Sequence, residues 1–304
     1  TQAEDLLAYL QKNEKILRIE RAGSLRRKKE TVGDLDFVAS CADESRPVIM
    51  EHFTGYPGTV GVTGKGSTKS SIVLASGIPA DLRLVAPEEF AFALHHFTGS
   101  KEHNTAMRQR AKTRSLTMNE YGLFREGSDT TIPCHSEEEI FRALELSYIP
   151  PELREDMGEI EAAEKGNLPD LIRTEHIRGI FHVHSDYSDG ANTIKEMAEA
   201  CRAKGYLYLG ITAHSKSAFY ANGLTEERIK KQHEEIDRLN DEMKNFTLFK
   251  GIEVDILADG SLDYADSVME SFDFVIASVH SRFRQSEEEM TRRICLALEH
   301  PSVT

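Results

Sequence analysis

The sequence predicts two domains, the first of α+β class and the second of α/β class with a parallel sheet. Three observations support this prediction. A chain of 304 residues with 39% hydrophobic residues is long enough to build two packed cores. The first half contains short alternating segments, typical of strands, that carry acidic residues. In the second half, apolar runs alternate with helical patterns in the order β, α, β, α, which is typical of a parallel sheet.

Two carboxylates separated by one residue, Asp34 and Asp36, follow a Gly-Ser pair and stand at the start of an apolar strand-like stretch. Side chains at i and i+2 of a strand point to the same face, so we expect the two carboxylates to converge. Two like charges at one point tolerate each other best around divalent cations. With the basic cluster 26–29 before it, the pair indicates phosphoryl or nucleotidyl transfer through two metals. Taken alone, the pair is equally compatible with a solvated strand end.

A third carboxylate, Asp81, lies in the short alternating segment 78–85. In a strand this segment places Asp81 and Arg83 on one face and the neighbouring leucines on the other. We expect adjacent strands to bring Asp81 close to the first two acids.

With these motifs the first half resembles the family X DNA polymerases, nucleotidyltransferases of DNA repair related to DNA polymerase beta. The matching motifs are G-S-x-R-R with G-D-x-D, then D-x-R-L, then the segment 96–100 with Asn104 and Arg108, then N-E-Y at 119–121. The resemblance implies two Mg²⁺ ions held by Asp34, Asp36 and Asp81. Asp81 would also help to activate the primer 3′-hydroxyl.

The resemblance further implies a nucleotide-binding set, which is Gly23, Ser24, Arg27, Gly33, Phe97, Gly99, Asn104 and Arg108. The first four would hold the β- and γ-phosphates of a dNTP. Phe97 and Gly99 would line its sugar, Asn104 would face its minor-groove edge, and Arg108 would contact the template strand. The less favoured alternatives are that Phe97 is a core aromatic and Arg108 a solvated helix residue. His96 stands where relatives usually carry Tyr, which puts the exclusion of ribonucleotides in question.

The second half contains a separate pattern of metal-ligand residues. His182 and His184 are spaced for one face of a strand, and Asp189 follows in a turn. Three further apolar runs end in ligand residues: 207–213 leads into His214, 248–252 into Glu253, and 274–279 into His280. Barrel enzymes place their active sites at the carboxyl ends of successive parallel strands. Any one of these histidines could be a buried structural residue, but the set together predicts a metal site.

This half resembles the PHP domain, a family of metal-dependent phosphoesterases with a distorted (βα)₇ barrel. Its motifs H-x-H-x-x-x-S-D-G, A-H-S, G-x-E and S-V-H occur here in order. The resemblance implies that His182, His184, Asp189, His214, Glu253 and His280 hold Mn²⁺ or Zn²⁺, since nitrogen and oxygen ligands without Cys suit such metals. Hydrolysis of a phosphodiester is the implied chemistry.

Both resemblances, in this order, are those of a bacterial family X DNA polymerase with a PHP domain. They imply a palm at 1–85, a thumb at 86–150, a linker at 151–178 and a PHP domain at 179–304. A complete barrel of eight units takes about 250 residues. Only 125 residues follow Gly179, so we expect the C-terminal part of the PHP barrel to be missing. The resemblance implies that the fragment also lacks the N-terminal helix-hairpin-helix and fingers part.

The implied function is gap-filling DNA synthesis in repair, with 3′-5′ exonuclease or 3′-end processing by the PHP domain. The implied partners are gapped or primer-template DNA and dNTP, and we expect a monomer in the cytoplasm with no membrane segment. Two alternatives stay open. The first half could serve only as a DNA-binding platform for a phosphoesterase, or the fragment could be inactive.

The net charge of −14 is unevenly divided along the chain. Residues 1–125 contain 18 Lys and Arg against 15 Asp and Glu, whereas residues 126–304 contain 19 against 36. We therefore expect the first half to make the longer contact with phosphate backbone.

The segment 64–67 predicts a hairpin turn and 225–245 one amphipathic helix, while His103, His135 and His233 are expected at the surface. The four cysteines show no pairing pattern and are expected to be reduced.

Overall fold

The computed structural model describes residues 1–128 and 130–304. These residues form two compact units, Thr1–Asp170 and Leu171–Thr304. Both units contain helices and strands, which confirms the predicted mixed class. The division between the units falls inside the segment 151–178 that we predicted as a linker.

The first unit is built around a five-stranded sheet in the order β1-β2-β5-β4-β3. Its strands are β1 (Arg18–Arg21), β2 (Leu35–Ser40), β3 (Thr59–Lys65), β4 (Lys69–Leu74) and β5 (Pro79–Val85). β2 and β5 run parallel, and the other neighbours run antiparallel. The antiparallel pair β3 and β4 is joined by a short turn, which confirms the hairpin predicted at 64–67.

Three helices accompany this sheet: α1 (Gln2–Leu10), the short α2 (Gly23–Arg26) and α3 (Arg46–Thr54). The amphipathic α1 buries Leu6 and Leu10 in a core that also contains Phe37, Phe53 and Leu82. Thr1 caps this helix, because its side chain accepts a hydrogen bond from the Glu4 backbone N–H while Glu4 reaches back to residue 1. Packing and capping together fix where this helix begins and which face it buries.

The same unit continues into a second group of elements with its own apolar cluster. In chain order they are α4 (Phe90–Thr98), α5 (Lys101–Thr113), β6 (Leu116–Met118), β7 (Leu123–Arg125), β8 (Thr131–Ile132), α6 (Glu137–Ala143) and α7 (Glu159–Lys165). The three strands form a small antiparallel sheet. Met107, Leu123, Phe141 and Leu144 are fully buried between these elements.

The second unit alternates strands and helices as predicted. Its elements are β9 (Gly179–Val183), α8 (Ile194–Ala203), β10 (Tyr208–His214), α9 (Glu226–Glu242), β11 (Thr247–Asp255), α10 (Asp266–Met269), β12 (Phe274–Ser278) and α11 (Glu287–Leu298). The four strands lie in the order β12-β11-β10-β9, and every neighbouring pair is parallel. Such a curled parallel sheet fits part of a (βα) barrel and brings the carboxyl ends of all four strands to one edge.

The helices of this unit cover the sheet through single apolar faces. Helix α9 buries Ile229, Ile236 and Leu239, which confirms one amphipathic helix rather than a coiled coil. Thr193 caps α8 in a reciprocal box with Glu196, which fixes where this helix begins.

One histidine prediction is wrong. His103 is fully buried, and its Nδ1 lies 2.7 Å from Oε1 of Glu159. The carboxylate partner makes burial tolerable, and this pairing across 56 residues cannot be read from local sequence. His233 is half-buried against the Phe272 ring, whereas His135 is exposed as expected.

The four cysteines are free, and among the described residues no helix is long and apolar enough to cross a bilayer.

Candidate active sites

The three predicted carboxylates of the first unit come together at the parallel pair β2 and β5. Asp36 and Asp81 are direct register partners on these strands, and Asp34 lies immediately before β2. Burial, followed by the charges of Asp34 and Asp81, raises the pKa of Asp36 to about 6. Lys69 Nζ lies 2.6 Å from Oδ2 of Asp81 and balances part of this negative charge. The cluster is therefore a concentrated anionic site, and the positive charges of Lys69 and Arg83 offset it in part.

Gly23 allows the backbone to approach this cluster. Its φ is +60°, and a Cβ at this position would lie 2.3 Å from Oδ2 of Asp36. Any larger residue would therefore clash with the carboxylate while adopting a left-handed conformation. The Gly-Ser pair thus begins α2 directly against the acidic cluster.

An open cleft of about 560 Å³ adjoins the acids. Nine of the predicted residues line it, namely Gly23, Ser24, Arg27, Asp34, Asp36, Phe97, Gly99, Asn104 and Arg108. His96 lines it as well. Among the predicted residues, all of which are described, Gly33 and Asp81 do not line this cleft.

The cleft residues are held in place by contacts with their neighbours. Arg27 donates hydrogen bonds to the Thr98 carbonyl at 2.5 Å and to Glu155 at 2.8 Å. A Cβ at Gly99 would lie 3.1 Å from the Arg27 guanidinium, so glycine leaves room for this contact. Asn104 donates to the His96 carbonyl at 2.7 Å, while its own buried Oδ1 has no donor among the described residues. A buried acceptor without a donor at the edge of a cleft is available to a ligand.

The second unit gathers its six predicted ligand residues around Glu253. Its carboxylate oxygens lie 3.1 to 3.4 Å from ring nitrogens of all four predicted histidines, which are His182, His184, His214 and His280. Asp189 completes the set at 3.2 Å from His184 and 3.6 Å from His214. Burial alone would raise the pKa of Glu253, but hydrogen bonds and the charges of the histidines outweigh it and hold this pKa far below its usual range.

Three overlapping groups in this cluster offer ligand atoms within 4.8 Å of one another: His182, His184 and Glu253; His184, Asp189 and His214; His214, Glu253 and His280. The Nδ1 atoms of His184 and His214 are buried and make no hydrogen bond within the described protein. Imidazole nitrogens and carboxylate oxygens at these separations suit a divalent transition metal.

The two histidines of β9 converge through an irregular strand. His182 has a φ of +61°, and the pairing with β10 shifts register between Ile180 and Val183. Regular pleat alternation, on which the sequence expectation rested, is therefore broken at this point. The bulge turns both side chains toward Glu253, because bulges re-aim side chains at strand ends.

Asp255 is a site residue that the sequence reasoning missed. Its Oδ1 lies 2.5 Å from Nδ1 of His280, and its Oδ2 accepts a hydrogen bond from the Ser217 hydroxyl at 2.8 Å. Ser278 also contributes by donating to Oε1 of Glu253 at 2.7 Å. The signal for Asp255 was its i+2 spacing from Glu253 on the same strand.

Comparison with known proteins follows this two-site division. The family model of the DNA polymerase beta thumb matches residues 93–155, and that of the PHP domain matches residues 181–300. Residues 93–155 are thus similar to a polymerase beta thumb, and residues 181–300 to a PHP domain. Both resemblances inferred from the sequence motifs are thereby confirmed.

Relatives support this assignment. The DNA polymerase/3′-5′ exonuclease PolX of Bacillus subtilis is 44% identical over 99% of this chain, which in turn covers 52% of that protein. The chain therefore spans about half the length of this relative. The human DNA-directed DNA/RNA polymerase mu is 40% identical over 25% of the chain and 16% of its own length. A repair DNA polymerase X of African swine fever virus is 27% identical over 49% of the chain and 85% of its own length.

Proposed function

We propose that the first unit is the catalytic part of a family X DNA polymerase that transfers a nucleotide from dNTP to a primer 3′-hydroxyl. The observation that carries this proposal is the direct register of Asp36 with Asp81 on parallel strands, beside a cleft lined by Ser24 and Arg27. Acidic residues on adjacent strands with a phosphate-binding turn opposite are what nucleotidyl transfer requires.

The acidic cluster fits Mg²⁺, since Asp34, Asp36 and Asp81 offer the carboxylate oxygens that this ion prefers. Burial and, after it, the charges of Asp34 and Asp81 raise the pKa of Asp36, so a cation bound here would favour its ionised form. Lys69 is 46% exposed, so it can release Asp81 at small cost. When bound, two such ions would neutralise the charge that develops on the transferred phosphoryl group.

The protein residues would then position the reactants. Arg27, already oriented by Thr98 and Glu155, would present its free N–H groups to the triphosphate with Ser24 and the backbone of Gly23 and Gly33. Asp81 would accept the proton of the primer 3′-hydroxyl. Phe97 and Gly99 would contact the sugar, Asn104 the base edge, and Arg108 the template strand.

We propose that the second unit hydrolyses phosphodiesters at DNA 3′ ends. Its six ligand residues fit Mn²⁺ or Zn²⁺, because the Nδ1 atoms of His184 and His214, which make no hydrogen bond to a described residue, lie close to the carboxylates of Glu253 and Asp189. When bound, such metals would activate water and polarise the phosphate. For the chain as a whole, we propose gapped or primer-template DNA and dNTP as substrates. The proposal also includes a role in repair and action as a cytoplasmic monomer.

Paired variants test the two assignments. Asp81→Ala should reduce nucleotide incorporation on gapped DNA by at least about a thousandfold, equivalent to about 4 kcal/mol of transition-state stabilisation, and leave 3′-end hydrolysis intact. His182→Ala should abolish 3′-end hydrolysis and leave nucleotide incorporation intact. Asp5→Ala, an exposed acid on α1, is the matched control. Incorporation by Asp81→Ala above a few per cent of the parent rate would reject the assignment of Asp81.

A wild-type chain that binds gapped DNA but incorporates nothing with Mg²⁺ or Mn²⁺ would instead favour a DNA-binding platform. Assays should include both this chain and a longer parent protein, because the chain spans half of its Bacillus subtilis relative.

A further inference from the structure

Two aromatic side chains stand exposed beside the histidine cluster, on the loop that follows β10. Phe219 is 87% exposed and Tyr220 is 72% exposed. The flanking residues Ala218 and Ala221 are buried, so the loop packs against the unit while its two rings point away from the core. These rings contribute little to folding stability, since their apolar surface stays in water.

The pair lies at the edge of the proposed catalytic centre. The Tyr220 ring centroid is 6.2 Å from that of His214 and 6.5 Å from that of His280. A planar group resting on this ring would therefore reach the edge of the metal-ligand residues. The position suits a part of the substrate next to the reacting phosphate.

Hydrogen bonds hold the loop that carries Phe219 and Tyr220 in place. The Ser217 backbone N–H donates to Asp263 at 2.6 Å, and its hydroxyl donates to Asp255, which also holds His280. The Gly223 N–H closes the loop onto the Ala218 carbonyl at 3.1 Å. Rings on a rigid loop lose little conformational entropy when a ligand binds.

A second exposed group lies on the loop that follows β12 and begins at His280. Arg282, Phe283 and Arg284 are consecutive and exposed, with Phe283 at 69%. The buried Arg293 anchors this loop by donating to the Ser281 carbonyl at 2.9 Å and to the Gln285 side chain at 3.0 Å. Both loops follow carboxyl ends of strands in the same parallel sheet, so they lie at the same edge as the histidines.

The charge of the second loop differs from that of its surroundings. Residues 171–304 contain 16 Lys and Arg against 23 Asp and Glu, yet two arginines flank the exposed Phe283 beside the catalytic cluster. Aromatic rings for stacking and cations for phosphate are the combination that binds single-stranded nucleic acid. A small phosphate ester would use neither the three rings nor both arginines.

We propose that Phe219, Tyr220 and Phe283 stack on the unpaired terminal bases of a DNA 3′ end, while Arg282 and Arg284 hold its phosphates. This inference rests on the proposed phosphoesterase function and identifies the side chains that would hold the terminal bases and phosphates of its substrate. Because every base has a π face, binding is independent of base identity. The acidity of the rest of the unit limits the contact to a short stretch of strand.

The test uses the full chain in Mn²⁺ with an oligonucleotide that carries 2-aminopurine at its 3′ end, preceded by a phosphorothioate linkage to slow hydrolysis. Stacking quenches 2-aminopurine fluorescence, so the wild type should quench it and Phe219→Ala/Tyr220→Ala should not. The double variant should also bind about 5- to 140-fold more weakly per lost stacking contact. Leu298→Ala, which removes an apolar side chain that is 65% exposed on α11, should behave as wild type.

An oligonucleotide with an abasic 3′-terminal nucleotide completes the cycle. Compared with the oligonucleotide that keeps its terminal base, it should bind the wild type more weakly. Its affinity for the double variant should change little, because the protein's stacking partner is already absent. Arg282→Ala/Arg284→Ala should reduce the salt dependence of binding by about 0.7 in log–log slope per lost phosphate contact. The proposal would be overturned if removal of the terminal base weakened binding to the wild type and to the double variant by the same factor.

The outcome separates this inference from the function on which it rests. Quenching without any hydrolysis that depends on His182 would reject the phosphoesterase and keep the stacking site. Hydrolysis with no quenching, and with KM unchanged in Phe219→Ala/Tyr220→Ala, would reject the stacking site and keep the phosphoesterase.

Discussion

Nδ1 of His280 lies 2.5 Å from Oδ1 of the buried Asp255. This contact directs the opposite ring nitrogen, Nε2, toward Glu253, whose Oε1 lies 3.3 Å away. A carboxylate behind an imidazole fixes the ring orientation and makes the free nitrogen a better metal ligand. The Ser217 hydroxyl holds the other oxygen of Asp255, so the carboxylate itself is fixed.

We expect Asp255→Asn to weaken the binding of Mn²⁺ or Zn²⁺ by about 10- to 100-fold, because the amide supports His280 less well than the carboxylate does. Titration calorimetry with the metal alone measures this without catalysis. Asp241→Asn, an exposed change on α9, is the control. Unchanged affinity in Asp255→Asn would show that His280 needs no carboxylate behind it.

A buried ion-pair network in the first unit leads to a stability prediction. Glu137 accepts hydrogen bonds from Arg154 at 2.5 Å and from Arg26 at 2.6 Å, and Arg154 is fully buried. Glu137→Gln leaves the buried arginine without its counter-charge, so we expect a loss of about 3 to 5 kcal/mol in the free energy of unfolding. Urea denaturation checks this value, and the exposed neighbour Glu138→Gln should change stability by less than about 0.5 kcal/mol.

The same network predicts acid sensitivity. Burial alone would raise the pKa of Glu137, but Arg154 and Arg26 outweigh it and lower this pKa from 4.5 to about 2. A lowered carboxyl pKa contributes stability that is present above pH 4.5 and is lost as pH falls toward 2. Stability of the wild type should therefore decline over this range more steeply than that of Glu137→Gln. Parallel declines in the two proteins would contradict the assignment.

Much of both candidate sites could be predicted because their residues obey local rules. Strand alternation and strand order place Asp36 opposite Asp81, and parallel strands bring His214, Glu253 and His280 to one edge. These relationships follow from periodicity and from where each strand ends.

The remainder depends on contacts that local sequence does not encode. Glu137 meets Arg26 across 111 residues, and His103 meets Glu159 across 56. The bulge at His182 breaks the alternation on which the strand argument relied. Asp255 was missed because a carboxylate on a buried strand is recognised as a support for histidine only when the facing loop is known.

His96 lines the cleft at the position where the resemblance to family X polymerases implies Tyr. Its ring contacts Phe97 edge-on at 4.9 Å, and its carbonyl is held by Asn104 independently of the ring. His96→Tyr should therefore change the ratio of dNTP to rNTP incorporation through the side chain alone, by about 10- to 200-fold for a well-placed contact. Single-nucleotide incorporation kinetics measure this ratio, with the exposed His135→Tyr as control. An unchanged ratio would show that the side chain takes no part in sugar selection.

The acidic cluster of the first unit should destabilise the protein when no cation is bound. Burial and the charges of Asp34 and Asp81 raise the pKa of Asp36 from 3.8 to about 6. A raised carboxyl pKa contributes stability that is present below pH 3.8 and is lost as pH rises through 6, so the ionised Asp36 is unfavourable at pH 7.5.

Asp36→Asn should therefore raise the free energy of unfolding in EDTA at pH 7.5 by about 1 to 2 kcal/mol, less than the full pKa difference would give because solvent screens a partly exposed side chain. This corresponds to an increase of about 2 to 8 °C in Tm. Asp43→Asn, whose carboxylate is 79% exposed and pairs with Arg46, should give no increase. Adding Mg²⁺ should raise the Tm of the wild type and leave that of Asp36→Asn nearly unchanged, because a cation that binds only the folded wild type stabilises only that protein. A lower Tm for Asp36→Asn in EDTA would mean that the three carboxylates do not repel one another in the folded chain.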